Sequence, residues 1–218
     1  MEEGPLFRDR KQAGQVLATH LRQYEGTTPV VLGIPRGGVV VAAEVAHALG
    51  GELDIAVARK LGAPGAPELA IGAVTADGGR YLNHQIIRNL GVQEDWIDQV
   101  TQREMAEARR RESLFRQGRP GPSLQSRTVI LVDDGLATGA TMHAAVDAVQ
   151  KQKPARLVVA VPVGARDACE VLGGVTDECV CPYTPEPFGA IGYFYERFEP
   201  VDEAEVTRIL NEAATAHA

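Results

Sequence analysis

Asp133 and Asp134 stand side by side after an apolar run, Val129-Ile130-Leu131-Val132, and before Gly135-Leu136-Ala137-Thr138-Gly139-Ala140-Thr141. Adjacent carboxylates accept hydrogen bonds from sugar hydroxyls and can partner Mg²⁺ or its waters. A turn that opens a helix presents unpaired backbone N–H groups, which suit a phosphate. Gly135 and Gly139 let the backbone close on such an anion, and Thr138 and Thr141 add hydroxyl donors. The chemistry read from this window is the binding of a phosphorylated sugar.

A second window repeats the logic. Val30 to Ile34 reads as a buried strand, Pro35-Arg36-Gly37-Gly38 as a loop, and Val39 to Leu49 as a helix ended by Gly50-Gly51. The glycines expose N–H groups, and Arg36 offers a bidentate fork to phosphate oxygens. A third strand, Leu53 to Ala58, ends in Arg59-Lys60, two cations expected to face the same crevice. The run from Leu61 to Glu68 holds two Gly and two Pro, and is expected to be an irregular, mobile loop.

Ligands of open parallel sheets bind outside the carboxyl ends of the strands, so the rest of the chain must deliver those ends to one place. Strands alternating with helices predict an α/β protein with a doubly wound, mainly parallel sheet, in one domain over 1–218. Phe7-Arg8-Asp9-Arg10 leads into a first helix, in which Ala13, Val16, Leu17, His20 and Leu21 read as packing. Ala70 to Thr75 and Arg80 to Leu82 bracket a hairpin turn, Ala76-Asp77-Gly78-Gly79. Glu94 to Arg116 reads as one long charged helix. Its Arg109-Arg110-Arg111 run reads as a solvated face with local ion pairs, the alternatives being a subunit contact or a second anion site. Thr141 to Gln150 and Arg166 to Leu172 are predicted helices. Arg156 to Val161 and Val175 to Val180 are predicted strands. Residues 181–198, rich in proline and aromatics, break the rhythm and are read as a small hood. A helix from Asp202 to Leu210 follows, with Asp202 as its N-cap and Glu205 completing a capping pair.

The composition narrows the classes. A net charge of -7 argues against a nucleic-acid surface. No apolar run approaches the roughly 20 residues of a membrane span. Met1-Glu2-Glu3-Gly4-Pro5 lacks the apolar stretch of a signal peptide. Three cysteines without metal-ligand spacing fit a reducing cytoplasm, and the scattered histidines form no zinc pattern.

The apolar strand, acid pair and Thr-Gly-x-Thr turn of 129–141 resemble the phosphoribosyl-pyrophosphate motif of type I phosphoribosyltransferases. A Walker A loop is excluded, since no Gly-Lys-[Ser/Thr] is present. Pro35–Gly38 resembles the pyrophosphate loop of that family. Arg59 to Pro64 is similar to the start of the closing loop in the adenine enzymes, and the turn 136–139 looks like that branch. The resemblance covers roughly residues 30–180. It lacks a match to the base-recognition segments of the adenine, hypoxanthine–guanine, uracil or orotate enzymes.

The resemblance implies a cytoplasmic, homodimeric, Mg²⁺-dependent enzyme. It would move phosphoribosyl from phosphoribosyl pyrophosphate to a nitrogen of a nucleobase-like small molecule through an oxocarbenium-like state. Residues 135–141 (Gly135, Leu136, Ala137, Thr138, Gly139, Ala140 and Thr141) would hold the 5′-phosphate. Asp133 and Asp134 would take the ribose hydroxyls and Mg²⁺. Arg36, Gly37, Gly38 and Lys60 would hold pyrophosphate, with Arg59 beside them, and Lys60 and Asp134 would take part in catalysis. The hypoxanthine–guanine branch carries a carboxylate at the place of Ala137. Glu68, the only acid of the loop region, is therefore the candidate base, the alternative being that it merely ends the loop at the surface. Phe188, with Tyr193, would stack on the acceptor, although the same aromatics can equally close the core. Two competing readings are a regulator that binds phosphoribosyl pyrophosphate or a nucleotide without turnover, and an enzyme of another phosphosugar. The chain offers no separate DNA-binding element for the first.

Overall fold

The computed structural model describes residues 4–216. Residues 1–3, where the acidic N-terminal stretch begins, lie outside it, as do 217–218. In chain order the elements are α1 (Arg10–Thr19), β1 (Val30–Gly33), α2 (Gly37–Leu49), β2 (Glu52–Ile55), β3 (Ala58–Ala63), β4 (Ala66–Thr75) and β5 (Arg80–Leu82). Then come α3 (His84–Leu90), α4 (Glu94–Arg116), β6 (Thr128–Val132), α5 (Ala140–Lys151), β7 (Arg156–Ala160), α6 (Arg166–Gly173), β8 (Glu178–Val180) and α7 (Glu203–Ala216).

Five strands form a parallel sheet in the order β2-β1-β6-β7-β8. Its apolar runs have no polar face because both faces are covered. Val30, Leu32, Val129, Leu131, Leu157 and Val159 pack with Met142, Val146 and Val149 of α5 and Leu172 of α6. The alternate residues, Val31, Ile130, Val132 and Val158, pack with Leu17 of α1 and Val41 and Val45 of α2. The period of two thus sorts each strand between two cores, as a doubly wound sheet requires. Asp202 caps α7 by accepting the Glu205 N–H at 2.7 Å, as expected.

Two expectations need correction. The third strand ends at Ile55, and Ala58 opens a different, antiparallel sheet of order β3-β4-β5. The run read as irregular, Leu61 to Glu68, lies within a hairpin whose strands turn at residues 64–65. Its glycines and prolines are tolerated because the ladder is interrupted. Gly62 pairs with Ala70 and Ala63 with Ala66, so residues 67–69 bulge out of register, where Pro67 has no ladder bond to donate. One face of this sheet buries Leu61, Ala63, Ile71 and Val74 against Ile97 and Val100 of α4. No helix among the described residues is long and apolar enough to cross a membrane.

Candidate active site

The acid pair follows β6, and the loop after β1 lies directly against it. Ile34 N–H binds the Val132 carbonyl at 2.8 Å and carries the strand pairing one residue past β1. A side chain at Gly38 would put its Cβ 2.8 Å from both Cα and Oδ1 of Asp133. One at Gly37 would put it 1.9 Å from Asp134 Oδ2. Glycine is needed at both positions for close approach. Arg36 is exposed at the N-cap of α2, and its side chain makes no hydrogen bond or ion pair among the described residues.

The two carboxylates differ. Asp134 is buried, and its Oδ2 accepts from Arg10 Nε at 2.7 Å. Both side chains of that pair are nearly sequestered, at 11% and 13% exposure. Arg10 also donates to the Glu199 carbonyl at 2.8 Å and lies 3.8 Å from the Phe198 ring centroid. Tyr195 Oη donates to the Asp134 carbonyl at 2.5 Å. Asp133 is half-buried, accepts the Asp134 N–H at 2.8 Å, and has no ion pair among the described residues. Burial, and then the neighbouring Asp134 charge, hold its carboxyl well above the usual carboxylate range. Burial also raises Asp134, with Arg10 opposing. Arg10 was legible in the sequence only as part of a helix start, because its partner is 124 residues away.

The turn at 135–141 takes the expected shape only in part. Gly139, at φ +74°, turns the chain into α5, and its carbonyl accepts the His143 N–H at 2.8 Å. The amides of 137–141 have no hydrogen-bond partner among the described residues, as the first turn of a helix leaves them. Leu136 does not belong with them. Its N–H is bonded to Val163 O at 3.0 Å, its carbonyl accepts from Ala165 at 2.8 Å, and its side chain is buried in the core. Gly135 has no room for a side chain, since its Cβ would fall 2.5 Å from Ile191. The hood residue that meets the turn is therefore Ile191. Phe188 packs on Phe194 at 5.1 Å between centroids, in a cluster with Phe7 and Tyr195, so it closes a core. Tyr193 is 76% exposed.

Beside the turn lies a cavity of about 420 Å³, lined by Pro35, Thr141, Arg59 and Lys60, and by Arg103, Glu104 and Arg111 of α4. Arg59 binds Glu104 at 2.7 Å, and Arg103 binds the other oxygen of Glu104 at 3.0 Å. Lys60 is close enough to Asp133 for its charge to favour that carboxylate. Glu68 is exposed in the bulge of β4 and does not line the cavity, although its neighbour Pro67 does. Arg111 was read as one of a solvated basic run. It pairs with Glu107 at 2.9 Å and also faces the cavity.

No cluster of three or more His, Cys, Asp or Glu side chains among the described residues is placed to cage a metal ion. Asp133 alone of the acid pair lacks a cationic partner. This donor set fits a Mg²⁺ held chiefly by oxygens of a bound phosphosugar, with Asp133 meeting the ion or its waters.

The family description "Phosphoribosyl transferase domain" matches residues 9–172. Two Mycobacterium tuberculosis proteins, MT0597 and Rv0571c, each provisionally named a phosphoribosyl transferase, are 43% identical over 208 residues. The match covers 95% of this chain and 47% of each of theirs, so the chain spans about half the length of the curated relatives it matches. The crystal structure of TT1426 from Thermus thermophilus is 44% identical, with a TM-score of 0.80 over 94% of this chain and 98% of that one. The AQ2163 protein of Aquifex aeolicus, at 13% identity and a TM-score of 0.51 over 84% of this chain and 77% of that one, shares the fold.

Proposed function

The chain belongs to the phosphoribosyl transferase domain family, and on that premise we propose that it transfers 5-phosphoribosyl from phosphoribosyl pyrophosphate to a nitrogen of a nucleobase-like acceptor, releasing pyrophosphate. One observation carries the reading: the unpaired amides of 137–141 open beside an acid pair against which a Gly-Gly loop is pressed. The amides of 137–141 and the Thr138 and Thr141 hydroxyls hold the 5′-phosphate. Asp133 orients the ribose hydroxyls. Arg10 favours the charged form of Asp134 against its burial and holds its carboxylate in place at the floor of the site. Arg36, the Gly37 and Gly38 loop and Lys60 hold the pyrophosphate, and Lys60 supports the charge that develops as it leaves. When bound, Mg²⁺ would neutralise part of that leaving-group charge. Positioning and electrostatics supply most of such a rate enhancement.

Glu68 lies outside the cavity, so its role as proton acceptor requires the hairpin tip to swing inward. Under that role Glu68→Gln lowers turnover by roughly 10²–10⁴-fold and leaves phosphoribosyl-pyrophosphate affinity unchanged. Unchanged turnover would assign the proton elsewhere. The test of the whole reading is pyrophosphate release from phosphoribosyl pyrophosphate against a panel of nitrogen heterocycles, with Mg²⁺ present. Failure to bind phosphoribosyl pyrophosphate would sink it. Tight binding without release from any acceptor would leave a nucleotide-sensing protein in its place.

A further inference from the structure

The wall of the cavity that faces the phosphate turn is unusual for a site meant to hold an uncharged ring. It presents four cations, Arg59, Lys60, Arg103 and Arg111, against one lining carboxylate, Glu104, in a chain whose net charge is -7. No aromatic side chain lines it. Of the hood aromatics that could stack on a ring, Phe188 packs on Phe194, and neither it nor the exposed Tyr193 lines this cavity.

The guanidinium groups are held and not exhausted. Arg59 spends Nε and Nη2 on Glu104, while Arg103 and Arg111 each spend only Nε on a carboxylate. An arginine has five N–H donors, so each keeps a fork free for a further oxyanion. Glu104 is 9% exposed and bridges Arg59 of the hairpin to Arg103 of α4, which fixes the two halves of the wall together. The pyrophosphate already has its own loop at Pro35–Gly38, pressed on the acid pair. The α4 arginines line the same cavity as Thr141 of the turn and are not among the residues given to the pyrophosphate.

We propose that Arg103 and Arg111 form an oxyanion subsite for the acceptor, so that the acceptor is a nitrogen heterocycle bearing a carboxylate and not an uncharged nucleobase. This rests on the phosphoribosyl-transfer reading and narrows its second substrate.

The experiment measures binding by calorimetry, first of phosphoribosyl pyrophosphate, then of ring pairs in its presence. Each pair sets a carboxylated heterocycle (a pyrimidine carboxylate, a pyridine dicarboxylate, an imidazole carboxylate) beside its uncharged parent. At least one carboxylated ring is expected to bind about tenfold or more tighter than its parent, the scale of a charge-assisted fork. Arg103→Gln with Arg111→Gln should erase that preference and leave phosphoribosyl-pyrophosphate affinity within about threefold. Lysine at both positions should restore most of it, which a lost fold would not allow. The inference is overturned if no carboxylated ring binds, if a parent ring binds as well as its carboxylate, or if the glutamine pair weakens phosphoribosyl pyrophosphate instead, which would give the wall to the pyrophosphate group. Failure of the wild-type chain to bind phosphoribosyl pyrophosphate would remove the underlying reading itself, a separate result from these.

Discussion

The parallel sheet and the antiparallel one meet at the candidate site, but they hold their side of it differently. The central parallel strands are buried on both faces and sandwiched by helices. The antiparallel sheet buries one face on α4, and its β4 is exposed from Pro67 to Leu69. The residues proposed to hold phosphate and ribose thus sit on a frame that cannot yield without disturbing two cores. The Arg59 and Lys60 side rides on a hairpin whose base packs on α4 and, through Ala73, on Ala140 and Ala144 of α5, while its tip at 67–69 is exposed. Local opening should therefore begin at the hairpin, while the acid pair and turn open only with the whole domain.

The largest way to break the rigid side is through Arg10. Replacing one partner of a buried ion pair leaves the other uncompensated, at a cost of about 3–5 kcal/mol. Arg10→Met should lose that much stability in urea unfolding. Adding Asp134→Asn should recover most of it, because the stranded charge is gone. An additive double variant would show that Arg10 acts through packing on Phe198 alone.

Next comes Gly37→Ala. Its methyl would stand 1.9 Å from Asp134 Oδ2 and 2.7 Å from Arg10 Nε, so the pair must move. Overpacking of this kind costs about 1–3 kcal/mol. A shift near 1 Å at reacting groups lowers turnover by about 100-fold. Pyrophosphate release and thermal unfolding measure the two effects. Normal turnover would mean that the acid pair need not be held where it is.

The same contrast explains what could be read from the sequence. The parallel strands were legible because both faces are buried, which makes runs such as Val129–Val132 apolar throughout. The acid pair and phosphate turn were legible because they are contiguous. The hairpin was not, since Gly62, Pro64, Gly65 and Pro67 are breakers in a regular strand; Pro64 and Gly65 form the turn, and the register shift around 67–69 makes Gly62 and Pro67 acceptable. Arg10, Arg103 and Arg111 were hidden for a different reason. Their local sequence reads as helix start or solvated helix face, and only the tertiary fold brings them to the site. Leu136 shows the reverse error: it lies inside the phosphate motif, yet its amide is consumed by Val163.

A smaller effect tests the contact between the sheets. His143, on α5 just after the phosphate turn, stacks on Tyr81 of β5 at 4.6 Å and 16°. Burial lowers its pKa. The neutral ring is therefore favoured in the folded state, and the unfolded chain takes up its proton first as pH falls. Stability should be flat above pH of about 6.5 and fall as pH drops from there through the folded pKa, with a slope bounded at about 1.4 kcal/mol per pH unit for one proton. His143→Gln should remove this component from urea unfolding between about pH 5 and 8. A slope that survives the substitution would come from other groups, and the junction of the sheets would then be insensitive to His143.

The smallest effect concerns how the hairpin is fastened. Trp96, the chain's single tryptophan, donates from Nε1 to the Gly62 carbonyl at 3.1 Å. It does so where the β3–β4 register shifts, so it pins the weakest part of the ladder to α4. Trp96→Phe keeps an aromatic ring and deletes that bond, a loss of about 1 kcal/mol. Because the parallel sheet does not depend on it, global unfolding should hardly move, while cleavage by a protease at residues 64–69 should quicken several-fold. Phosphoribosyl pyrophosphate, by drawing Lys60 and Arg59 onto its anion, should slow that cleavage in the wild-type chain and change the fluorescence of Trp96. Equal cleavage with and without the ligand, in parent and variant alike, would mean that the hairpin is as rigid as the sheet beside it. The base role of Glu68 would then lose the motion it requires.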